Sequence, residues 1–159
     1  MSRQSTRRKA VPRKSTHYDQ QTKFADTVNL LRKIKGEWAE VEFMSQAIRR
    51  GMVVARPWGD SAPFDLIVQG RSRTLYRIQV KAAWAKREER YKVRMGGSRN
   101  RSYDPHDFDF YAAYVIPEDV WYIIPIAAGV KLNTVNLYAG RPKSRGNVEK
   151  HREAWHRLK

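Results

Sequence analysis

The chain has 159 residues, which is the size of one ordinary domain and enough to bury a hydrophobic core. Its formal net charge of +16 favours a polyanionic partner, most often nucleic acid and less often an anionic membrane surface. The absence of cysteine excludes disulfides and thiolate metal sites, and no apolar run reaches the roughly 20 residues of a transmembrane helix. Because the N-terminus also lacks the apolar core of a signal peptide, we expect a cytoplasmic protein with no membrane partner.

The first segment, residues 1–16, is basic and contains almost nothing that a core would bury. Its six basic residues, with no acidic residue among them, are Arg3, Arg7, Arg8, Lys9, Arg13 and Lys14. This composition predicts a disordered arm, which is either a phosphate-seeking tail or a solvated terminus. Residues 17–159 are then expected to form a single domain.

Two helices are predicted next, over Asp19–Lys35 and Glu37–Arg50, with Gly36 bending or separating them. The apolar face predicted for the second helix comprises Trp38, Val41, Met44, Ala47 and Ile48. Glu40 lies at the edge of that face and is expected to look inward toward the sheet, whereas Glu42 looks out. Most helix glutamates are solvated, so Glu40 needs support from elsewhere before a function is assigned to it.

The segment Ser61–Lys81 alternates between apolar and polar residues on two arms, which predicts a β-hairpin after a first strand at Met52–Arg56. If the hairpin turns near Ser72, Asp65 lies opposite Gln79. Any register that buries the two apolar faces together puts Asp65, Gln79 and Lys81 on one common face. Such a face can hold a hard divalent cation and a water, or the Asp and Lys can form a plain ion pair.

Farther along, the charged segment Ala82–Arg90 gives no clear assignment, and Tyr91–Met95 reads as a short strand. Two strong strands, Phe108–Ile116 and Val120–Ile126, predict a second hairpin. The final segment, Asn147–Leu158, is predicted to be a short helix.

The basic loop at residues 96–102 contains neither a P-loop nor a dinucleotide-binding fingerprint, so no nucleotide cofactor is expected. Three aspartates surround His106 and suggest a metal site. Turn chemistry explains the same residues more simply, because aspartate commonly begins turns and strands.

Three short motifs occur along the chain in this order: Gly-Glu-Trp-Ala-Glu at 36–40, Ala-Pro-Phe-Asp at 62–65 and Gln-Val-Lys at 79–81. Later segments of the same kind are Asp-Phe-Asp-Phe at 107–110, Trp-Tyr-Ile-Ile-Pro at 121–125 and Glu-Ala-Trp at 153–155. Together they resemble the PD-(D/E)xK nuclease superfamily. The order and spacing are similar to its small branch, which includes archaeal Holliday-junction resolvases and a bacterial intron-encoded homing endonuclease.

The resemblance implies an α/β fold, with a restriction-endonuclease-like core of one mixed central β-sheet flanked by helices. It also implies that Asp65 is the central metal-binding aspartate, that Lys81 is the catalytic lysine and that Glu40 joins the metal shell. Gln79 stands where the family usually has its second acid and is expected to hold the metal together with Asp65 and Glu40. The backbone carbonyl of Val80 is expected as a further ligand. The implied cofactor is Mg²⁺, with Mn²⁺ as a possible substitute.

The implied function is Mg²⁺-dependent hydrolysis of DNA phosphodiesters, homing-endonuclease-like or resolvase-like, by a homodimer or higher homo-oligomer. Because Gln79 removes a negative charge from the site, an inactive nuclease fold that binds DNA or RNA stays open as an alternative. A structural protein of a ribonucleoprotein is a third, weaker possibility. Predicted contacts to nucleic acid, mainly through phosphates, are Arg49, Arg50, Ser61, Arg71, Arg73, Arg99 and Arg101.

Overall fold

The computed structural model describes residues 17–97, 103–129, 132–140 and 148–159. The predicted basic arm, together with Arg99 and Arg101, lies outside the described residues. The chain divides into two compact units, one ending at Lys33 and the other running from Ile34 to Lys159, and each is described by itself.

One helix, α1, runs from His17 to Arg49, so the prediction of two helices was wrong. Gly36 does not interrupt it, and a Cβ atom at this position would meet nothing within 4 Å. A glycine in a helix interior costs only about 1 kcal/mol relative to alanine, which is too little to end a long helix. In the first unit, Leu30 and Leu31 of this helix are exposed.

In the second unit, the buried face of α1 agrees with the predicted one at Ala47 and in part at Met44, and otherwise differs from it. The buried side chains are those of Ala39, Phe43 and Ala47, whereas Trp38, Val41 and Ile48 are roughly half exposed. Phe43 decides the orientation, because its ring packs against both Trp121 and Trp155, with ring centroids 5.4 and 5.3 Å apart. Since the helix carries apolar residues on two faces, periodicity alone did not identify the buried one.

The strands are β1 Val53–Ala55, β2 Leu66–Gln69, β3 Leu75–Ala83, β4 Lys86–Arg87, β5 Arg90–Arg94, β6 Phe110–Val115, β7 Val120–Pro125 and β8 Thr134–Leu137. A five-stranded main sheet has the order β1-β2-β3-β6-β7. Its β3 and β6 strands are parallel and its other pairs antiparallel. The protein therefore has the mixed α/β fold that the sequence predicted.

The main sheet is covered on both faces, which separates its core into two clusters. On one face, Ile78 and Val80 of β3 belong to a cluster with Phe43 of α1. On the other face, Tyr111 of β6 belongs to a cluster with Tyr91 of β5. Strands covered on both sides read as nearly continuous apolar runs, and this explains why β6 and β7 were predicted well.

The second cover is a small antiparallel sheet of order β4-β5-β8, called the ribbon below. Only β5 of the ribbon was predicted. A short α2 helix, Ile126–Gly129, follows β7.

The chain ends in two 3-10 helices, Glu149–His151 and Trp155–Leu158, where a single short helix was predicted. Arg152 forms an isolated bridge with Tyr122 of β7 between them, so pairing with the main sheet interrupts the helical path. A third 3-10 helix, Ile116–Glu118, joins β6 to β7. Within the described residues, no helix is both long and apolar enough to cross a membrane.

Candidate active site

The β2–β3 hairpin fixes the position of Asp65. Leu66 pairs with Ile78, so the register puts Asp65 opposite Gln79. The Asp65 backbone N–H donates to the Ile78 carbonyl at 2.9 Å and extends the ladder by one residue. This is the register expected for a turn near Ser72, and it has the parity that the alternation of apolar residues predicted.

The Asp65 carboxylate is held by the neighbouring strand. Its Oδ2 atom accepts hydrogen bonds from the Val80 backbone N–H at 2.7 Å and from Gln79 Nε2 at 2.5 Å. Burial raises the pKa of Asp65, while the Val80 N–H and the positive charge of Lys81 act to lower it. The carboxyl group is therefore held in one orientation on the β3 strand.

The Gln79 amide fills the space beside this carboxylate. Its Nε2 atom also contacts the Val80 carbonyl oxygen, at 3.4 Å. The amide N–H groups therefore face two of the oxygen atoms that were predicted as metal ligands. Rotation of the amide by 180° would present its oxygen instead. Gln79 could then bind a metal ion rather than donate hydrogen bonds to the two oxygens.

Lys81 lies two residues farther along β3, on the same face as Gln79. Its Nζ donates to the Tyr103 hydroxyl at 3.3 Å and lies 5.3 Å from the centre of that ring. Burial lowers the pKa of Lys81, as does the charge of Arg94, whereas Asp65 acts to raise it.

Glu40 reaches the site from α1. Its side chain is 17% exposed, and Oε2 lies 2.9 Å from Arg56 Nη2. This contact lacks hydrogen-bond geometry, so the buried Oε2 has no hydrogen-bond donor. Burial raises the pKa of Glu40, the negative charge of Asp65 raises it further, and Arg56 opposes both effects. The charge of Asp65 therefore acts on the Glu40 carboxylate.

The oxygen atoms of this cluster fit the coordination of one hard cation. Mg²⁺ typically binds one or two carboxylates and fills its remaining positions with water and substrate oxygens. Asp65, Glu40 and the Val80 carbonyl supply such a set, and Glu40 Oε2, which accepts no hydrogen bond, is balanced only by its ion pair with Arg56. Within the described ranges, no group of three or more His, Cys, Asp or Glu side chains converges, which is consistent with Gln79 in place of an acid.

The aspartates around His106 serve other purposes. Asp104 and Asp107 accept backbone N–H groups within their own turn. Asp109 pairs with Arg77, and its Oδ1 lies 3.1 Å from Arg77 Nη2.

Most of the predicted phosphate contacts lie away from this cluster. Arg49 and Arg50 are at the end of α1, about 15 Å along the helix from Glu40. Arg71 and Arg73 are in the β2–β3 turn, roughly 15 Å along the strand from Asp65. Arg50 and Arg71 line one cavity of about 480 Å³. Ser61 is exposed in the loop before Asp65.

Three further residues act on the site and were missed from the sequence. They are Arg56, which pairs with Glu40, Tyr103, which accepts from Lys81, and Arg94, whose charge acts on Lys81. Alternation along Tyr91–Met95 was the available signal for Arg94. No motif pointed to Arg56 or Tyr103, because their partners are distant in the sequence.

The mixed five-stranded sheet, with an aspartate, a lysine and a helix glutamate gathered at one place, defines the restriction-endonuclease-like class of nucleases. A family model described as PD-(D/E)XK endonuclease matches residues 31–158, and the chain belongs to this family. The resemblance found in the sequence is therefore confirmed.

Among solved structures, the chain is similar to that of a bacterial homing endonuclease, I-Ssp6803I. The TM-score is 0.69 at 28% sequence identity, and the match covers 79% of this chain and 91% of the other. No curated protein matches the chain in sequence.

Proposed function

We propose that this protein is a Mg²⁺-dependent endonuclease that hydrolyses phosphodiester bonds in duplex DNA. The observation that carries the proposal is the convergence of Asp65, Gln79 and Lys81 on one face of the hairpin, in electrostatic contact with Glu40. The likeness to a homing endonuclease favours a duplex site over a four-way junction as the substrate.

Each side chain has a distinct role in this proposal. A divalent cation held by Asp65, Glu40 and the Val80 carbonyl would act as a Lewis acid on the phosphate. Lys81 Nζ orients the attacking water and stabilises the negative charge that develops on the phosphate oxygens. The Val80 N–H keeps the Asp65 carboxylate in place, and Arg56 limits the repulsion between Asp65 and Glu40.

The test is cleavage of a supercoiled plasmid, a randomised duplex library and a synthetic four-way junction, each with and without Mg²⁺. The variants are Asp65→Ala and Lys81→Ala. Matched controls are Asp60→Ala and Lys150→Ala, which remove an exposed aspartate and an exposed lysine outside the site.

We expect metal-dependent cutting that falls by at least about a hundredfold in both site variants and stays near wild type in both controls. Equal loss in a site variant and its matched control would contradict the assignment of these residues. A clean preparation that binds DNA and cuts no substrate in Mg²⁺ or Mn²⁺ would refute the enzymatic proposal.

A second function, binding without cleavage, has one observation in its favour. The Gln79 amide nitrogen faces the two oxygens, Asp65 Oδ2 and Val80 O, that would otherwise face a cation. A binding module of this kind would have salt-dependent affinity for DNA or RNA that ignores Mg²⁺ and survives Lys81→Ala. Calorimetric titration of Mn²⁺ into the protein separates the two functions, because only the nuclease should bind the ion in a way that Asp65→Ala abolishes.

We propose further that the active form is a homodimer or higher homo-oligomer, since cutting both strands of a duplex requires two sites. This is supported by four exposed apolar residues of α1, Ile34, Trp38, Val41 and Ile48. Their spacings of four, three and seven residues put them along one helix–helix seam. Analytical ultracentrifugation should detect an assembly that Val41→Lys dissociates. Leu75→Lys, which makes the same kind of change at an exposed residue of β3, should leave it intact. A wild-type monomer at all concentrations would contradict the proposal.

A further inference from the structure

The ribbon has one buried face and one face of basic and amide side chains. Along β5 and β8, buried and exposed residues alternate strictly after Arg90. The pairs Lys92–Asn136 and Arg94–Thr134 lie directly opposite each other, as do Arg87 and Arg90 across the β4–β5 pair. Because directly paired residues share a face, the solvent side of the ribbon presents Arg87, Arg90, Lys92, Arg94, Thr134 and Asn136.

A groove of about 340 Å³ lies on this face, lined by Arg87, Glu88, Arg90, Lys92, Thr134 and Asn136. Arg90 forms an ion pair with Glu88, with 2.6 Å between Nη2 and Oε2. The outward groups include four cations and one carboxylate.

The composition of this face differs from that of a simple phosphate-binding surface. Phosphates need only cations or N–H donors, whereas base edges need groups that both donate and accept in a fixed pattern. An asparagine makes paired hydrogen bonds to adenine, and an arginine or lysine binds the two acceptors of guanine. Asn136 opposite Lys92 supplies this combination on adjacent strands.

The dimensions also suit a DNA groove. The major groove is about 12 Å wide and admits a two-stranded β-ribbon, whose strands lie about 4.8 Å apart. The ribbon is two-stranded along most of β5, because β4 pairs with only two of its residues. Arg90, Lys92 and Arg94 span about 13 Å, which corresponds to roughly four base pairs.

The ribbon is joined directly to the candidate active site. Tyr111 is the residue of β6 that pairs with Gln79, and its hydroxyl donates to the Met95 carbonyl at 3.1 Å. Met95 follows Arg94, so the end of β5 is attached next to the catalytic strand. DNA contacted by the ribbon would therefore pass close to the scissile position.

We propose that the solvent face of the ribbon enters the major groove and reads base edges beside the cleaved phosphate, with Asn136 and Lys92 as the principal reading pair. This rests on the proposed function, because it names the mode by which the nuclease selects its duplex. The base pairs that each ribbon reads would form a block of roughly four, on one side of the cut in each half-site.

The test is a binding selection from a randomised duplex library, carried out without divalent cation so that it does not depend on cleavage. The proteins are the wild type, Asn136→Ala, Lys92→Ala and the control Arg73→Ala, which removes an exposed cation at the far turn. Affinity for a mixed-sequence duplex is measured for all four proteins, and it also reports whether each variant is folded.

We expect the wild type to enrich a motif. Asn136→Ala and Lys92→Ala should each lose about 5- to 100-fold discrimination at one or two neighbouring positions. Their affinity for mixed-sequence duplex should change by less than about threefold, whereas Arg73→Ala should weaken binding to all sequences without changing the motif.

An unchanged motif in both ribbon variants, or a wild type that enriches no motif, would overturn the inference. The outcome is separable from that of the proposed function. A wild type that selects a motif but never cuts DNA would retain base reading and refute only the nuclease activity.

Discussion

The two sheets differ in how their faces are covered, and this difference changes the meaning of a polar residue in each. The main sheet is covered on both faces along β6 and β7, so these two strands are almost entirely apolar. One face of the ribbon is open, so polar side chains alternate with buried ones as a matter of course. A polar group in the main sheet, such as Gln79, is an exception that points to chemistry.

Burial should therefore set the cost of substitutions, and the largest effect is expected where α1 meets the main sheet. Phe43→Ala removes a fully buried ring from between two tryptophans and should lower the free energy of unfolding by about 3–5 kcal/mol. The exposed Leu75 of β3 is a matched apolar control, and Leu75→Ala should change the free energy of unfolding by less than about 0.5 kcal/mol. Urea unfolding measures both. Equal costs for the two variants would contradict the assigned face of the helix.

A smaller effect is expected at the tip of the ribbon. Glu88 and Glu89 form its two-residue turn with φ of 47° and 68°, in the left-handed region that disfavours residues with a Cβ. Glu89→Gly should be more stable than Glu89→Ala by about 1–2 kcal/mol, because both lose the carboxylate and only glycine relieves the backbone. Thermal unfolding of the two variants provides the comparison. An alanine variant as stable as the glycine variant would refute this turn geometry.

The smallest effect on stability is expected from a buried histidine beside the main sheet. His151 is 3% exposed, and both ring nitrogens lack partners among the described residues. Burial lowers the pKa of His151 in the folded protein below its ordinary value of 6.5, and the charges of Arg157 and Lys150 add to this effect. The unfolded chain therefore takes up the proton at a higher pH than the folded chain does.

It follows that the stabilisation from neutral His151 is fully present above the unfolded pKa and is lost as the pH falls below it. Urea unfolding from about pH 7.5 to about pH 5.5 should show a decrease in unfolding free energy that is smaller in His151→Phe. The exposed His156 provides a matched control, since His156→Phe should retain the wild-type dependence. An identical pH dependence in wild type and His151→Phe would contradict the buried neutral histidine.

The sequence predicted the central hairpin well for a physical reason. Strand side chains alternate with a period of two, so burying the apolar set of Ser61–Lys81 left one parity for Asp65, Gln79 and Lys81. Helix periodicity placed Glu40 at the edge of the predicted apolar face, and the family motifs then associated it with the metal site. The predicted face of Glu37–Arg50 was only partly right, because two apolar stripes compete on α1 and only the aromatic partners Trp121 and Trp155 decide between them.

The ribbon was largely missed because one of its two pairings is non-local and the strand in the other is very short. Its β8 strand has four residues and pairs with β5 across a long stretch of chain. Its β4 strand has two residues and lies within the charged segment Ala82–Arg90. Neither gives a periodic signal on its own, so the basic face that they build with β5 was absent from the sequence analysis. The predicted phosphate contacts fell instead on more obvious arginines, at the far end of α1 and of the hairpin.

The most direct test of the account compares two identical changes, Lys81→Ala in the main sheet and Lys92→Ala in the ribbon. Single-turnover cleavage at saturating protein is measured on the randomised duplex library, together with the motif that each protein selects. We predict that Lys81→Ala lowers the cleavage rate by at least about a hundredfold and keeps the motif. Lys92→Ala should instead keep the rate on its bound duplexes within a few fold and blur the motif. Wild-type cutting by Lys81→Ala, or an unaltered motif with Lys92→Ala, would contradict the division of chemistry and recognition between the two sheets.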